Sequence, residues 1–224
     1  MNLLLLAVAP IFIIILYIYF KDKYEKEPKR FLFYNFLLGA IISVFITTII
    51  YYLFDYILPL TDNTSVFEQF VKAFFVVGFT EEFSKYIIIR YYSQTNKKFN
   101  EPFDGIIYAV MVSMGFAATE NIFYVLEGGY QTALLRALTA VPAHATFGIL
   151  MGYCMGKAKF SNNRIILNLS GLLLAIIFHG AYDFFLFIDF VPGIWVSAFI
   201  SLFIGIILSR KAIKRHQINS NFKT

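Results

Sequence analysis

The chain is short of what water-soluble folds depend on. Only 15% of its 224 residues are charged, against roughly a quarter in an ordinary soluble domain. Its hydrophilic stretches are short, so a separate soluble domain has no place, and no internal repeat is present. The lone cysteine, Cys154, excludes an intrachain disulfide and leaves the redox compartment open. Inside an apolar run it reads as a small core residue. The first apolar run, Leu3 to Phe20, has no basic residue before it. No small-residue cleavage site follows it either, because the chain continues into Lys21-Asp22-Lys23. It therefore reads as a retained transmembrane helix and not as a signal peptide. Histidine is scarce, with three in all, so any that falls inside an apolar run stands out.

What is abundant is apolar: 59% of residues are hydrophobic and 27 are phenylalanine. At this length a soluble core would leave too much of that surface wet, whereas a bilayer takes it up. The expected fold is an all-α polytopic transmembrane bundle, one domain over residues 1–224. A spanning helix needs about 20 apolar residues, and seven candidates meet that need, at 2–20, 31–59, 66–91, 104–127, 131–156, 164–187 and 193–210. Alternate connections carry the basic residues: Lys21 to Arg30, then Arg90 to Lys98, then Lys157 to Arg164, and finally the tail from Arg210. By the positive-inside rule the N-terminus lies outside and the C-terminus in the cytoplasm. The net charge of +5 is thus a topology signal, and a nucleic-acid partner is not expected.

Ionisable residues are costly at membrane depth and mark function by default. The third segment carries Gly78-Phe-Thr-Glu81-Glu82-Phe-Ser-Lys85. Adjacent residues on a helix point about 100° apart, so the two glutamates face different partners. Glu81 and Lys85, four apart, share a face; a self-neutralising pair accounts for one glutamate but not for both. The fourth segment has Asp104 at its start, read as a cap or a solvated charge, and Glu120-Asn121 deeper in. For these two, an interhelical hydrogen bond is the structural alternative. The fifth carries Pro142-Ala-His144, where a proline inside the helix frees the carbonyl of Leu138. Gly148, Gly152 and Gly156 follow at the spacing that favours close helix packing. The sixth carries His179-Gly-Ala-Tyr-Asp183, in which Asp183 can hold one imidazole nitrogen and set the tautomer of the other.

Counting 1.5 Å per residue puts Glu81, His144 and His179 about 15–22 Å above the cytoplasmic face, with Glu120 somewhat higher. Residues on four segments thus fall in one slab, at or just beyond the midplane. A desolvated carboxylate is a good general base, and a histidine can steady a water or an oxyanion. Two histidines and a glutamate (Glu81, His144, His179) are equally a ligand set for a divalent metal such as zinc. The residues leave both routes open. The H-E-x-x-H zinc helix, a rhomboid-type serine motif and the Gly-x-Gly-Asp half of an aspartyl site are all absent. A proton- or ion-coupled transporter also uses buried Glu, His and Asp, but the inverted repeat common in transporters is missing. A non-enzymatic scaffold or immunity protein is the third reading.

The ordered set Glu81-Glu82-x-x-Lys85, Phe103-Asp104-Gly105, Glu120-Asn121, His144 and His179-Gly-x-x-Asp183 resembles the PrsW family of intramembrane proteases. That family is placed with the CAAX-processing and bacteriocin-processing membrane proteases, and the likeness covers the third to the sixth segment. It implies catalytic Glu81, Glu82, His144 and His179, with Glu81 and His144 activating water and His179 with Asp183 supporting the oxyanion. Glu120, Asn121 and Lys85 are supporting residues, and Glu82 has the least defined role. Lys85 stands where CAAX enzymes more often have arginine at another spacing, and Asp183 where they often have asparagine. Both departures favour the PrsW branch over prenyl-protein processing; a CAAX-type processing enzyme or a bacteriocin-immunity membrane protein is the alternative. The resemblance further implies a bacterial cell membrane and a single-span substrate, cut at site 1 in the manner of an anti-sigma factor.

Overall fold

The computed structural model describes residues 2–220, 222 and 223, and among them every regular element is helical. In chain order these are α1 (Leu3–Lys21), α2 (Lys29–Leu38), α3 (Val44–Ile57), α4 (Val66–Val71), α5 (Thr80–Ile88), α6 (Pro102–Leu138), α7 (Ala140–Lys159), α8 (Arg164–Phe187) and α9 (Val196–Ile218). The π-helical turns Gly39–Ser43 and Lys72–Phe79 join α2 to α3 and α4 to α5, and a third, Ile89–Ser93, extends α5. Five helical stretches are long and apolar enough to cross a membrane: Leu3–Lys21, Lys29–Ile57, Pro102–Lys159, Arg164–Phe187 and Val196–Ile218. The rod over 66–93 is of comparable length, but it carries Glu81, Glu82, Lys85 and Arg90 in its second half. The protein is an all-α polytopic membrane bundle.

The bundle is built around α6. Every residue from Phe103 to Ala118 is buried, as expected of a helix that is apolar on all sides and therefore central. α7 lies against it at close range. A Cβ placed on Gly105 would come 2.5 Å from the carbonyl oxygen of Gly152, so the small-residue spacing on α7 is a backbone-to-backbone seam. The surrounding helices bury one stripe each. Along α3 only Thr47 is buried, while Tyr52 and Tyr56 are 74% and 88% exposed, an apolar outer face suited to lipid.

Two expectations change here. The segment read as 131–156 is not one helix. α6 breaks at Gly129, whose φ of 69° and ψ of −155° need a residue without a side chain, and resumes as a short arm over 130–138. The chain leaves helical geometry again at Thr139 (φ −124°, ψ −76°) before α7 begins. Pro142 therefore sits in the first turn of α7 and not inside a helix. Its missing N–H is one that the first turn leaves unbonded anyway, so it starts the helix cleanly. The second change concerns Asp104. It does close a capping box with Glu101 at the start of α6, but it is buried and not solvated.

Candidate active site

α5 presents its two carboxylates in opposite senses. Glu81 faces α3, where the Tyr51 hydroxyl donates to Oε1 at 2.9 Å. Glu82 faces α8, where Oε1 lies 2.9 Å from His179 Nδ1. The close approach of α8 is permitted by two glycines. A Cβ on Gly180 would meet the Phe74 ring at 2.5 Å, and one on Gly78 would meet the Gly180 amide nitrogen at 3.2 Å. This seam runs through the π-helical segment just before Glu81, and single π turns recur at functional sites.

His179 is held on both nitrogens, since Nε2 lies 3.2 Å from Asp183 Oδ2 and 3.9 Å from Glu81 Oε2. Its ring stacks on Phe147 at 4.7 Å between centroids. His144 comes in from α7. Its Nε2 is 2.8 Å from Glu120 Oε2 and its Nδ1 is 3.4 Å from Lys85 Nζ. The Lys85 ammonium donates to Glu82 Oε1 at 2.7 Å and to Glu81 Oε2 at 3.4 Å. Glu81, Glu82, Lys85, His144 and His179 are all buried.

Sequence reasoning put these residues at one height, and the structure brings them together. Ligand atoms of Glu81, Glu82, His144 and His179 all lie within 4.8 Å of one another. The pairings differ from those carried over from the resemblance. His144 bonds to Glu120 and not to Glu81, and Glu82, the residue with the least defined role, touches both His179 and Lys85. Asn121 takes no direct part. It donates to the Ala7 carbonyl at 2.6 Å and accepts from Arg136 Nε at 2.6 Å.

Arg136 is the principal residue that sequence reasoning missed. It rides on the arm after Gly129, which folds back so that its Nη2 reaches Glu120 Oε2 at 2.7 Å. Its guanidinium lies over the Tyr124 ring, 4.1 Å from the centroid. The signal was available, because arginine inside an apolar run obeys the same rule that singled out Glu120. Tyr51 had no such signal among 15 tyrosines.

The cluster opens onto a cavity of about 740 Å³ lined by Glu81, Glu120, Arg136, His144, His179 and Asp183. A second cavity of about 510 Å³ shares Thr48, Tyr51, Lys72 and Val76 with it and continues along α3. The donor set also suits a metal ion. Two carboxylates and two imidazoles converge in a dry setting, as for zinc and its neighbours. Glu82 Oε2 is buried with no hydrogen-bond partner, an unused lone pair of the kind a cation takes up.

Comparison with known proteins places the chain among its relatives. A family model described as "PrsW family intramembrane metalloprotease" matches residues 27–209. The chain is 38% identical over 186 residues to a protein named Protease PrsW from Geobacillus kaustophilus, covering 83% of this chain and 80% of that one. It is 36% identical over 182 residues to the Protease PrsW of Bacillus subtilis, covering 80% of each. With the Protease PrsW of Clostridioides difficile it shares 36% over 201 residues, 85% of this chain and 81% of the other. No solved structure matches.

Proposed function

The chain belongs to the PrsW family and is an intramembrane protease of the bacterial membrane; from that premise we propose that Glu81, Glu82, His144 and His179 hydrolyse a peptide bond of a single-span membrane substrate. The observation that carries this reading is the convergence of those four buried residues, from three separate helices, to within 4.8 Å of one another, with Glu81, His144 and His179 lining the cavity.

The residues divide the work. Donation from the Tyr51 hydroxyl fixes the Glu81 carboxylate, which faces the cavity as general base. Glu120, itself anchored by Arg136, takes the Nε2 proton of His144. That leaves Nδ1 as a lone pair facing the Lys85 ammonium at 3.4 Å. His179 is fixed through Nδ1 by Glu82, and its Nε2, now 3.2 Å from Asp183, would donate to a developing oxyanion by exchanging that longer contact. A divalent metal, zinc being the first candidate for this donor set, would be held by Glu81, Glu82, His144 and His179. When bound it would supply Lewis-acid polarisation and a more acidic water.

The substrate class is the one that the family resemblance implies. With the N-terminus outside, the cavity lies toward the outer face, suited to site-1 cleavage of an anti-sigma factor type of membrane protein. Co-expression with such a single-span protein tests the reading. Wild type should shorten it, and Glu81→Gln, His144→Ala and His179→Ala should each leave it intact. Cleavage that survives all three substitutions overturns the assignment.

A further inference from the structure

The most unusual member of the cluster is a cation, not an acid. Lys85 is 1% exposed, and its ammonium sits among the atoms a metal would need. Its contacts are Glu82 Oε1 at 2.7 Å, Glu81 Oε2 at 3.4 Å and His144 Nδ1 at 3.4 Å. An ammonium has three N–H donors and no acceptor, so these three contacts account for all of them. The remaining side is covered by the Phe116 ring, 4.1 Å from Nζ to its centroid, a face that favours a cation. Three of the four candidate ligand residues are therefore engaged by one internal positive charge. A divalent ion on the same oxygen and nitrogen atoms, at metal–ligand distances of about 2.0–2.2 Å, would need the space that Nζ fills.

We propose that Lys85 is a resident counter-cation that competes with the divalent metal for Glu81, Glu82 and His144. Metal enters this site only as the ammonium withdraws, and Lys85 thereby sets the metal affinity lower than the donor set alone would give. The inference rests on the metal reading above. It also gives the lysine a second use, because in the metal-free chain it offsets the charge of two neighbouring buried carboxylates.

The test is Co²⁺ titration of the full-length protein purified in detergent, followed by the visible absorption of the bound ion and by thermal unfolding. Lys85→Met keeps the length of the side chain and removes the charge, and Lys85→Arg keeps the charge. Lys85→Met should bind Co²⁺ at least tenfold more tightly than wild type, and Lys85→Arg no more tightly than wild type. Lys85→Met should unfold at lower temperature without metal and regain the loss with Co²⁺. A Lys85→Met protein that folds only when Co²⁺ is present supports the proposal equally. Equal or weaker binding by Lys85→Met, or a folding defect that Co²⁺ does not repair, overturns the role of Lys85 while leaving metal binding by wild type intact. Absence of Co²⁺ binding in wild type and variant alike overturns the metal reading itself.

Discussion

Two groups of buried carboxylates stand at different places in this bundle, and they are neutralised in different ways. Around the cavity, Glu81, Glu82, Glu120 and Asp183 are matched by Lys85, Arg136, His144 and His179, each within 3.4 Å of an acid. At the other group, where the loop after α1 meets the start of α6, Asp22, Glu27, Glu101 and Asp104 crowd together with few bases. Glu27 accepts from the Tyr108 hydroxyl and Glu101 from Ser220. Lys26 there turns to the backbone carbonyls of Tyr19 and Asp22. Acids matched by bases have their charge offset locally and stay available for chemistry. Acids crowded with acids are most simply kept neutral by protons, and Glu27 and Glu101 are accordingly pushed above the usual carboxylate range by burial. Only the matched group has the makings of a catalytic site.

The largest effect should come from unbalancing the matched group. Glu82→Gln removes the negative charge shared by His179 and Lys85. Breaking a buried pair from one side costs about 3–5 kcal/mol, so the variant should unfold at clearly lower temperature and lose cleavage. Glu27→Gln replaces an acid already inclined to hold a proton and should change neither greatly. Thermal unfolding of the two variants side by side checks the contrast; a Glu27→Gln defect as severe as that of Glu82→Gln would erase it.

A smaller effect is expected at Arg136, which acts on the site through Glu120. Residues that orient a ligating or catalytic histidine through its partner are worth about 10–100-fold in activity or metal affinity. Arg136→Gln should lower kcat by that order with KM little changed, because substrate contacts are spared while His144 loses its fixed orientation. Arg136→Lys should recover part of the rate. An unchanged kcat with a raised KM would instead make Arg136 a substrate-binding residue.

Much of this was legible in the sequence, for one reason. In an apolar chain each buried charge is an exception, so Glu81, Glu82, Glu120, His144, His179 and Asp183 identified themselves. Segment positions followed from hydropathy, and the helices begin and end within a few residues of them, except that the fifth begins only at Ala140 and the last runs on to Ile218. What stayed hidden depends on how the chain folds back. The arm that carries Arg136 to Glu120 hinges on Gly129, and nothing in the residue string says that a glycine near a loop will turn the chain that way. The π-helical segments have no sequence mark. Asp104 looked solvated because it lies near a helix start, and only the folded chain brings Glu27 of the α1–α2 loop beside it and buries it. The pairings inside the site were hidden for a similar reason: height can be counted along a helix, but which carboxylate meets which imidazole depends on rotation about its axis.

The smallest expected effect tests the crowded group by pH. Asp22 lies just beyond α1, and burial raises its carboxyl from 3.8 to about 7, with Lys26 opposing the rise and Glu27 and Glu101 adding to it. Between about pH 4 and pH 7 the folded protein therefore holds a proton that the unfolded chain releases. The stability linked to that proton is present in full below the ordinary carboxylate range and is lost as pH rises through 7. Asp22→Asn imitates the protonated form and has nothing to lose. It should match wild type near pH 4 and unfold at higher temperature near pH 8. Cleavage measured at either pH should be unaffected, since Asp22 lies outside the cavity lining. A gain that is the same at both pH values would mean that Asp22 is charged throughout, and the two carboxylate groups would then be alike in carrying charge.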